Sequence, residues 1–173
     1  MKHHNIRVKR WVACEAIGNA TSICTDNTAT VTTDTTADPL SPEVHDTVLK
    51  CQNAGITFRI VTGDDVNTAR STAMSCGIIQ PGDSFSILEG PDFNARIRDE
   101  NGHVQQELLD RIWPQLRVLA GAQSSDKYLL VKGIIDSKAT SEREVVAVIG
   151  TAADDVLMLK KADVGFAMVR FGT

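Results

Sequence analysis

Short β-branched apolar runs that break at a polar turn and lead into helical-period segments recur along this chain. That recurrence constrains its fold more than any single residue. Ser22-Ile23-Cys24-Thr25 stops at Asp26. Ile56 to Val61 stops at Thr62-Gly63-Asp64-Asp65 and gives way to a helix over 66–76, with Asp65 placed to cap it and Gly77 to close it. Arg117 to Ala122 precedes Gln123-Ser124-Ser125-Asp126-Lys127 and a helix over 128–135. Glu144 to Gly150, rich in valine and isoleucine, ends at Thr151-Ala152-Ala153-Asp154-Asp155 before a helix carrying Leu157, Met158 and Leu159. A short strand over 162–168 closes the series. Strands alternating with helices in this order pack as a parallel sheet with right-handed crossovers. The expected class is α/β.

Between these units the signals are local. Residues 6–21 allow a short helix on the sheet edge. Ser41-Pro42-Glu43 starts a helix as N-cap, first helical proline and first-turn acid, with Val44, Val48, Leu49 and Cys51 as its apolar face and Gly55 as its stop. Ser84 to Leu88 reads as a short strand, 92–98 and 104–112 as helices around an Asn101-Gly102 turn, with Phe93, Ile97, Leu108, Leu109 and Ile112 as core. No chemistry is expected from residues 78–116.

At 173 residues the expectation is one domain spanning 1–173. The net charge of −4, with no basic cluster beyond Lys2 to Arg10, argues against nucleic acid as a main partner. Apolar runs such as Val145 to Ile149 are too short to span a bilayer, and Met1-Lys2-His3-His4 leads into a charged stretch rather than a signal peptide. The chain is expected to be cytoplasmic as written. Its four cysteines (Cys14, Cys24, Cys51, Cys76) form no C-x-x-C pair and are expected to be reduced core residues. His3 and His4 read as solvated.

In an open α/β sheet, ligands sit outside the carboxyl ends of the strands. Asp26 stands at such an end, either as a nucleophile or metal ligand or as a turn-starting acid. Thr62 and Gly63 offer a hydroxyl and helix N-terminal N–H groups to a phosphate, or form a plain capping turn. Lys127, in the first turn of a helix, opposes the helix dipole. It gains from a phosphoryl group, or else pairs at the surface with Asp126 or Asp136. Asp154 and Asp155 either serve Mg²⁺ or simply favour a helix N-terminus.

Cys24-Thr25-Asp26-Asn27-Thr28-Ala29-Thr30-Val31-Thr32-Thr33 resembles the phosphorylation motif of P-type ATPases, C-S-D-K-T-G-T-L-T-T, whose Asp accepts the phosphoryl group of ATP. Val12 to Thr21 is similar to the family's preceding D-A-C-E-T-M-G-N-A-T. The stretch from Asp38-Pro39 through Val61-Thr62-Gly63-Asp64 to Asn67-Thr68-Ala69-Arg70 is similar to the calcium-pump segment bearing the T-G-D phosphate motif. Leu88-Glu89-Gly90, Phe93-Asn94, Arg96-Ile97-Arg98, Ile112-Trp113-Pro114 and Leu159 to Met168 extend the likeness to plasma-membrane calcium-transporting ATPases.

This resemblance implies a Rossmann-like, haloacid dehalogenase-type phosphorylation domain with helices on both faces of a parallel sheet. It implies Asp26 as phosphoryl acceptor and Lys127 on the phosphoryl and carboxylate oxygens. Thr28, Thr62, Gly63, Asp64 and Asp154 are then phosphate-binding, with Mg²⁺ on Asp26, Thr28 and Asp155. A phosphate or acyl-phosphate-type small molecule is the implied partner. Residues 34–40 become a linker where pumps insert a nucleotide-binding domain. Full-length pumps are embedded in the plasma membrane with this domain on the cytosolic side, whereas no membrane span is expected here, so this chain alone is not expected to transport an ion.

Three departures cut against turnover. Asn27 replaces the motif Lys and Ala29 the motif Gly. The family's T-G-D-G-T-N-D-G-P-A aligns with Ile149 to Met158, which puts Thr151 where its Mg²⁺-binding Asp belongs. Mg²⁺ binding is therefore expected to be weak. The two expectations are an enzyme-like domain and a catalytically degenerate remnant that serves as an interaction module or has no activity.

Overall fold

In the computed structural model, residues 12–26, 42–82, 86–150 and 153–168 are described. Asn27, Thr28, Ala29, Ser41, Thr151 and the expected linker at 34–40 lie outside these residues, as do the His3-His4 pair and the basic region near it.

Among the described residues six strands form one sheet: β1 (Ser22–Thr25), β2 (Thr57–Val61), β3 (Ser86–Glu89), β4 (Leu116–Ala120), β5 (Val146–Gly150) and β6 (Val164–Ala167). Their order is β3-β4-β2-β1-β5-β6, and every pairing is parallel. Register sets Cys24 of β1 between Arg59 of β2 and Val148 of β5. The chain runs outward from β1 through β2 toward β3, then returns past β1 to build β5 and β6. Strand order therefore reverses between β1 and β5, where a crevice opens at the carboxyl ends.

Seven helices are described: α1 (Val12–Ile17), α2 (Pro42–Asn53), α3 (Val66–Ser75), α4 (Gly90–Arg96), α5 (Gln106–Asp110), α6 (Ser124–Asp136) and α7 (Val156–Lys161). Alternating side chains divide the core by face. Phe58, Ile60, Val118 and Ala120 pack with Val48 of α2 and with Ala69 and Ala73 of α3. Val61, Leu119 and Val148 pack on the other face with Phe93, Leu109, Leu130, Ile134 and Met158, from the helices after β3. The architecture is the expected α/β Rossmann-like one, consistent with a haloacid dehalogenase-type domain. Among the described residues no helix is long and apolar enough to cross a membrane.

Boundaries moved where backbone chemistry overrode periodicity. The helix expected over 104–112 is confined to 106–110, because Val104 bridges antiparallel to Arg98. That expected over 92–98 starts at Gly90, with Pro91 in its first turn. The helix expected from residue 128 starts at Ser124, because the Asp126 carboxylate accepts the Gln123 N–H and closes the first turn. Asp65 caps α3 as expected, accepting from the N–H groups of Asn67 and Thr68, and Gly77 follows that helix at φ 73°. Cys24, Cys51 and Cys76 are free thiols, and Cys24 and Cys76 are buried.

One core residue was invisible to hydropathy. Arg59 is 1% exposed. Its guanidinium donates to the carbonyls of Leu116 (3.0 Å) and Trp113 (3.2 Å) and to Ser22 Oγ (2.8 Å), and lies 5.4 Å from the Trp113 ring centroid. These acceptors lie toward the amino ends of the strands, away from the crevice.

Candidate active site

Asp26 follows β1 directly, and its N–H continues the ladder by donating to Ile149 O of β5 (3.1 Å). Asp155 ends a 3₁₀ turn (Ala153–Asp155) after β5. These two acids flank the reversal point. Lys127 reaches it from the first turn of α6, donating to Asp155 Oδ1 at 2.8 Å and to Asp26 Oδ2 at 3.3 Å. All three are buried: Asp26 and Lys127 are 3% exposed, Asp155 0%. Taking charges out of water is costly unless they pair, and here they pair. Burial works to lower the Lys127 pKa, but the bond to Asp155 and the charge of Asp26 outweigh it, so the net direction is upward. Lys127 is an ammonium at neutral pH.

The surface alternative for Lys127 does not hold. Asp136 is bonded instead to Lys132 and Lys161, and Asp126 accepts from Asn94, Ser125 and Gln123. Asp155 heads α7 without a side-chain capping bond, its carboxylate being turned to Lys127. Asp154 is exposed, and its carbonyl accepts from Ser124 Oγ at 2.9 Å.

Thr62, Gly63 and Asp64 leave β2, the neighbour of β1. The turn is stitched to the exit of β4 by Ala122 N–H to Thr62 O (2.9 Å) and Gly121 N–H to Asp64 O (2.7 Å). The Asp64 N–H donates to Thr62 Oγ1 at 3.1 Å. At the start of α3 Asp65 takes the N–H groups of Asn67 and Thr68, so those two are engaged within the turn, and the Thr62 hydroxyl and the Gly63 N–H stand beside them as its candidate donors to a phosphate. Thr28 and Thr151 lie outside the described residues.

Gly150 is the close approach that seats Asp155. A Cβ at position 150 would stand 2.7 Å from Asp155 Cβ and 2.8 Å from its Oδ2. Two carboxylates turned to one point are hard oxygen donors of the kind Mg²⁺ takes one or two at a time, with water completing its shell. Asp26 and Asp155 fit that requirement. Among the described residues no group of three or more His, Cys, Asp or Glu gathers for a metal.

Sequence reasoning gave no site role to Asn94 of α4, to Arg98 just after that helix, or to Ser124, the first residue of α6, all of which bear on the α6 terminus. Asn94 and Arg98 carried a signal only through the family likeness, which attached no chemistry to them, and Ser124 read as part of a polar turn.

No protein-family profile matches the chain. Over 136 residues it is 63% identical to plasma membrane calcium-transporting ATPase mca-1 of Caenorhabditis elegans, and 59% identical to the human plasma membrane calcium-transporting ATPases 1 and 3. Each match covers 79% of this chain and 11% of the relative, so the chain spans about a tenth of the length of the curated proteins it matches.

Proposed function

This chain carries a segment of the plasma membrane calcium-transporting ATPases, and from that premise we propose that it is a single phosphorylation domain in which Asp26 accepts a phosphoryl group. The observation that carries the reading is the Lys127 ammonium held between Asp26 and Asp155. A carboxylate oxygen of Asp26 attacks phosphorus. The bond to the leaving group breaks, and its electron pair departs on the leaving oxygen. Phosphoryl transfer depends on positioning and charge neutralisation. Lys127 supplies a fixed positive charge at the attacked group, and the Thr62 hydroxyl and Gly63 N–H supply donors from the adjacent strand exit. Asp64 shapes the turn that presents them, and Asp154 lies within the turn that ends at Asp155.

Asp26, Asp155 and the Thr28 carbonyl would hold Mg²⁺, which when bound offsets the charge on the phosphoryl oxygens. With Thr151 in place of a carboxylate, that binding is weak. In a full-length pump the domain would face the cytosol at the plasma membrane. The proposal for this chain stops at the acyl phosphate.

The test is radiolabel transfer from acetyl phosphate with Mg²⁺. The expected product is a hydroxylamine-labile label that disappears in Asp26→Asn. Asn27, Ala29 and Thr151 favour a second reading, a remnant that keeps the fold without the chemistry. Val156 and Leu157 favour it too, since they are 41% and 50% exposed where the family pattern has Gly-Pro. Label that is absent, or equal in wild type and Asp26→Asn, selects that reading.

A further inference from the structure

Lys127 has a long, flexible stem, so its place between two acids depends on where the first turn of α6 is held. That turn is pinned from two directions. Ser124 Oγ donates to Asp154 O (2.9 Å), which ties it to the turn bearing Asp155. On the other side, Asp126 is 4% exposed and accepts the Gln123 N–H through Oδ2 (3.0 Å). Through Oδ1 it accepts Asn94 Nδ2 of α4 at 2.6 Å.

The Asn94 amide is not free to turn over. Its carbonyl oxygen accepts from Arg98 Nη1, which also donates to Asn94 O at 3.1 Å. A guanidinium only donates and a carboxylate only accepts, so the amide must aim its oxygen at Arg98 and its nitrogen at Asp126. Asn94 Nδ2 donates as well to Gly90 O at 3.0 Å, at the start of its own helix. Asn94, Arg98 and Asp126 line one polar cleft with Gly121 and Gln123. The link from Arg98 through Asn94 to Asp126 ends one residue before Lys127.

We propose that Asn94 is a positioning residue for Lys127: through Asp126 it fixes the first turn of α6 so that the ammonium bridges Asp26 and Asp155. The placement of Lys127 needs nothing beyond this geometry; only its consequence for phosphate rests on the phosphoryl-acceptor reading.

The test is acetylation of the native protein by an amine-reactive ester, read at Lys127 by peptide mass spectrometry. Lys132, 44% exposed on the same helix, is the internal reference. Asn94→Ala should raise the Lys127-to-Lys132 labelling ratio about tenfold, the loss expected for one hydrogen bond to a charged group. Ser137→Ala removes a bond to Asp110 and one from Trp113 at the far end of α6. It should lower stability and leave the ratio unchanged. An unchanged ratio in Asn94→Ala, or an equal rise in Ser137→Ala, overturns the proposal.

Should Asn94→Ala not fold, Arg98→Met releases the amide while keeping Asn94. A rise of about threefold is then expected, and no rise overturns the proposal. Inorganic phosphate binding by calorimetry is read separately. Failure of the wild type to bind phosphate removes the phosphoryl reading and leaves the labelling result standing, whereas loss of binding in Asn94→Ala alone supports both.

Discussion

Lys127 is bonded more closely to Asp155, at 2.8 Å, than to Asp26, at 3.3 Å. Of the two acids expected to hold metal, Asp155 is thus the closer anchor of the ammonium. One ammonium serves two carboxylates at the reversal point of the sheet.

Lys127→Met should be severely destabilising. Removing one partner of a buried pair costs about 3–5 kcal/mol, and here it leaves two carboxylates facing the same point. Urea unfolding at neutral pH measures the loss. Millimolar Mg²⁺ should recover part of it by taking the ammonium's place, as binding to the folded state alone stabilises that state. A variant as stable as wild type would show that the pairing contributes nothing.

Gly150→Ala adds a Cβ 2.7 Å from that of Asp155. Neither backbone end of β5 nor a short buried acid yields easily, so the cost should be about 1–3 kcal/mol. The displaced carboxylate should also release Lys127. Thermal unfolding and Mg²⁺ titration of the same variant check both effects, and an unperturbed melting temperature would mean that the 3₁₀ turn slides freely.

The sheet and the strand ends that carry Asp26, Thr62 and Asp155 were legible because a parallel α/β unit writes its period and its breaks into local sequence. The support of the site was not. Asp126 read as a possible surface partner of Lys127, although its bonds run to a helix that begins more than thirty residues earlier. Arg59 sits in a strand pattern as a polar interruption. Only the folded chain shows its donors satisfied by Leu116, Trp113 and Ser22. Contacts of this kind depend on which helices flank which strand, and composition carries no trace of that. The capping acid at Asp65 was visible for the opposite reason, since its partners lie two and three residues away.

Stability should fall on the alkaline side through two buried thiols. Burial pushes both Cys24 and Cys76 up to about 11, with the Arg59 charge pulling Cys24 back down in part. Below about pH 8.5 the thiols are protonated in folded and unfolded chains alike and contribute no slope. Above it the unfolded chain ionises first, so each thiol should cost about 1.4 kcal/mol per pH unit until its folded pKa is passed. Urea midpoints from pH 8 to 10.5 should drop in the wild type. The Cys24→Ala, Cys76→Ala double variant, though less stable throughout, should show a flatter profile; parallel slopes would assign the alkaline loss to other groups.

Thr151→Asp tests the reading of the metal site from the sequence side. Position 151 follows Gly150 at the end of β5, where the family pattern places a carboxylate, and Asp155 lies four residues on. Mg²⁺ takes one or two carboxylates and is reluctant to lose water, so a further anionic donor acts mainly through charge. The expected gain is about tenfold in Mg²⁺ affinity by calorimetry, equivalent to about 1.4 kcal/mol. Asp155→Asn in the same background should abolish the gain, because the two acids would act on one ion. An affinity unchanged by Thr151→Asp would place residue 151 outside the metal's reach and remove the main physical argument that this chain binds Mg²⁺ weakly.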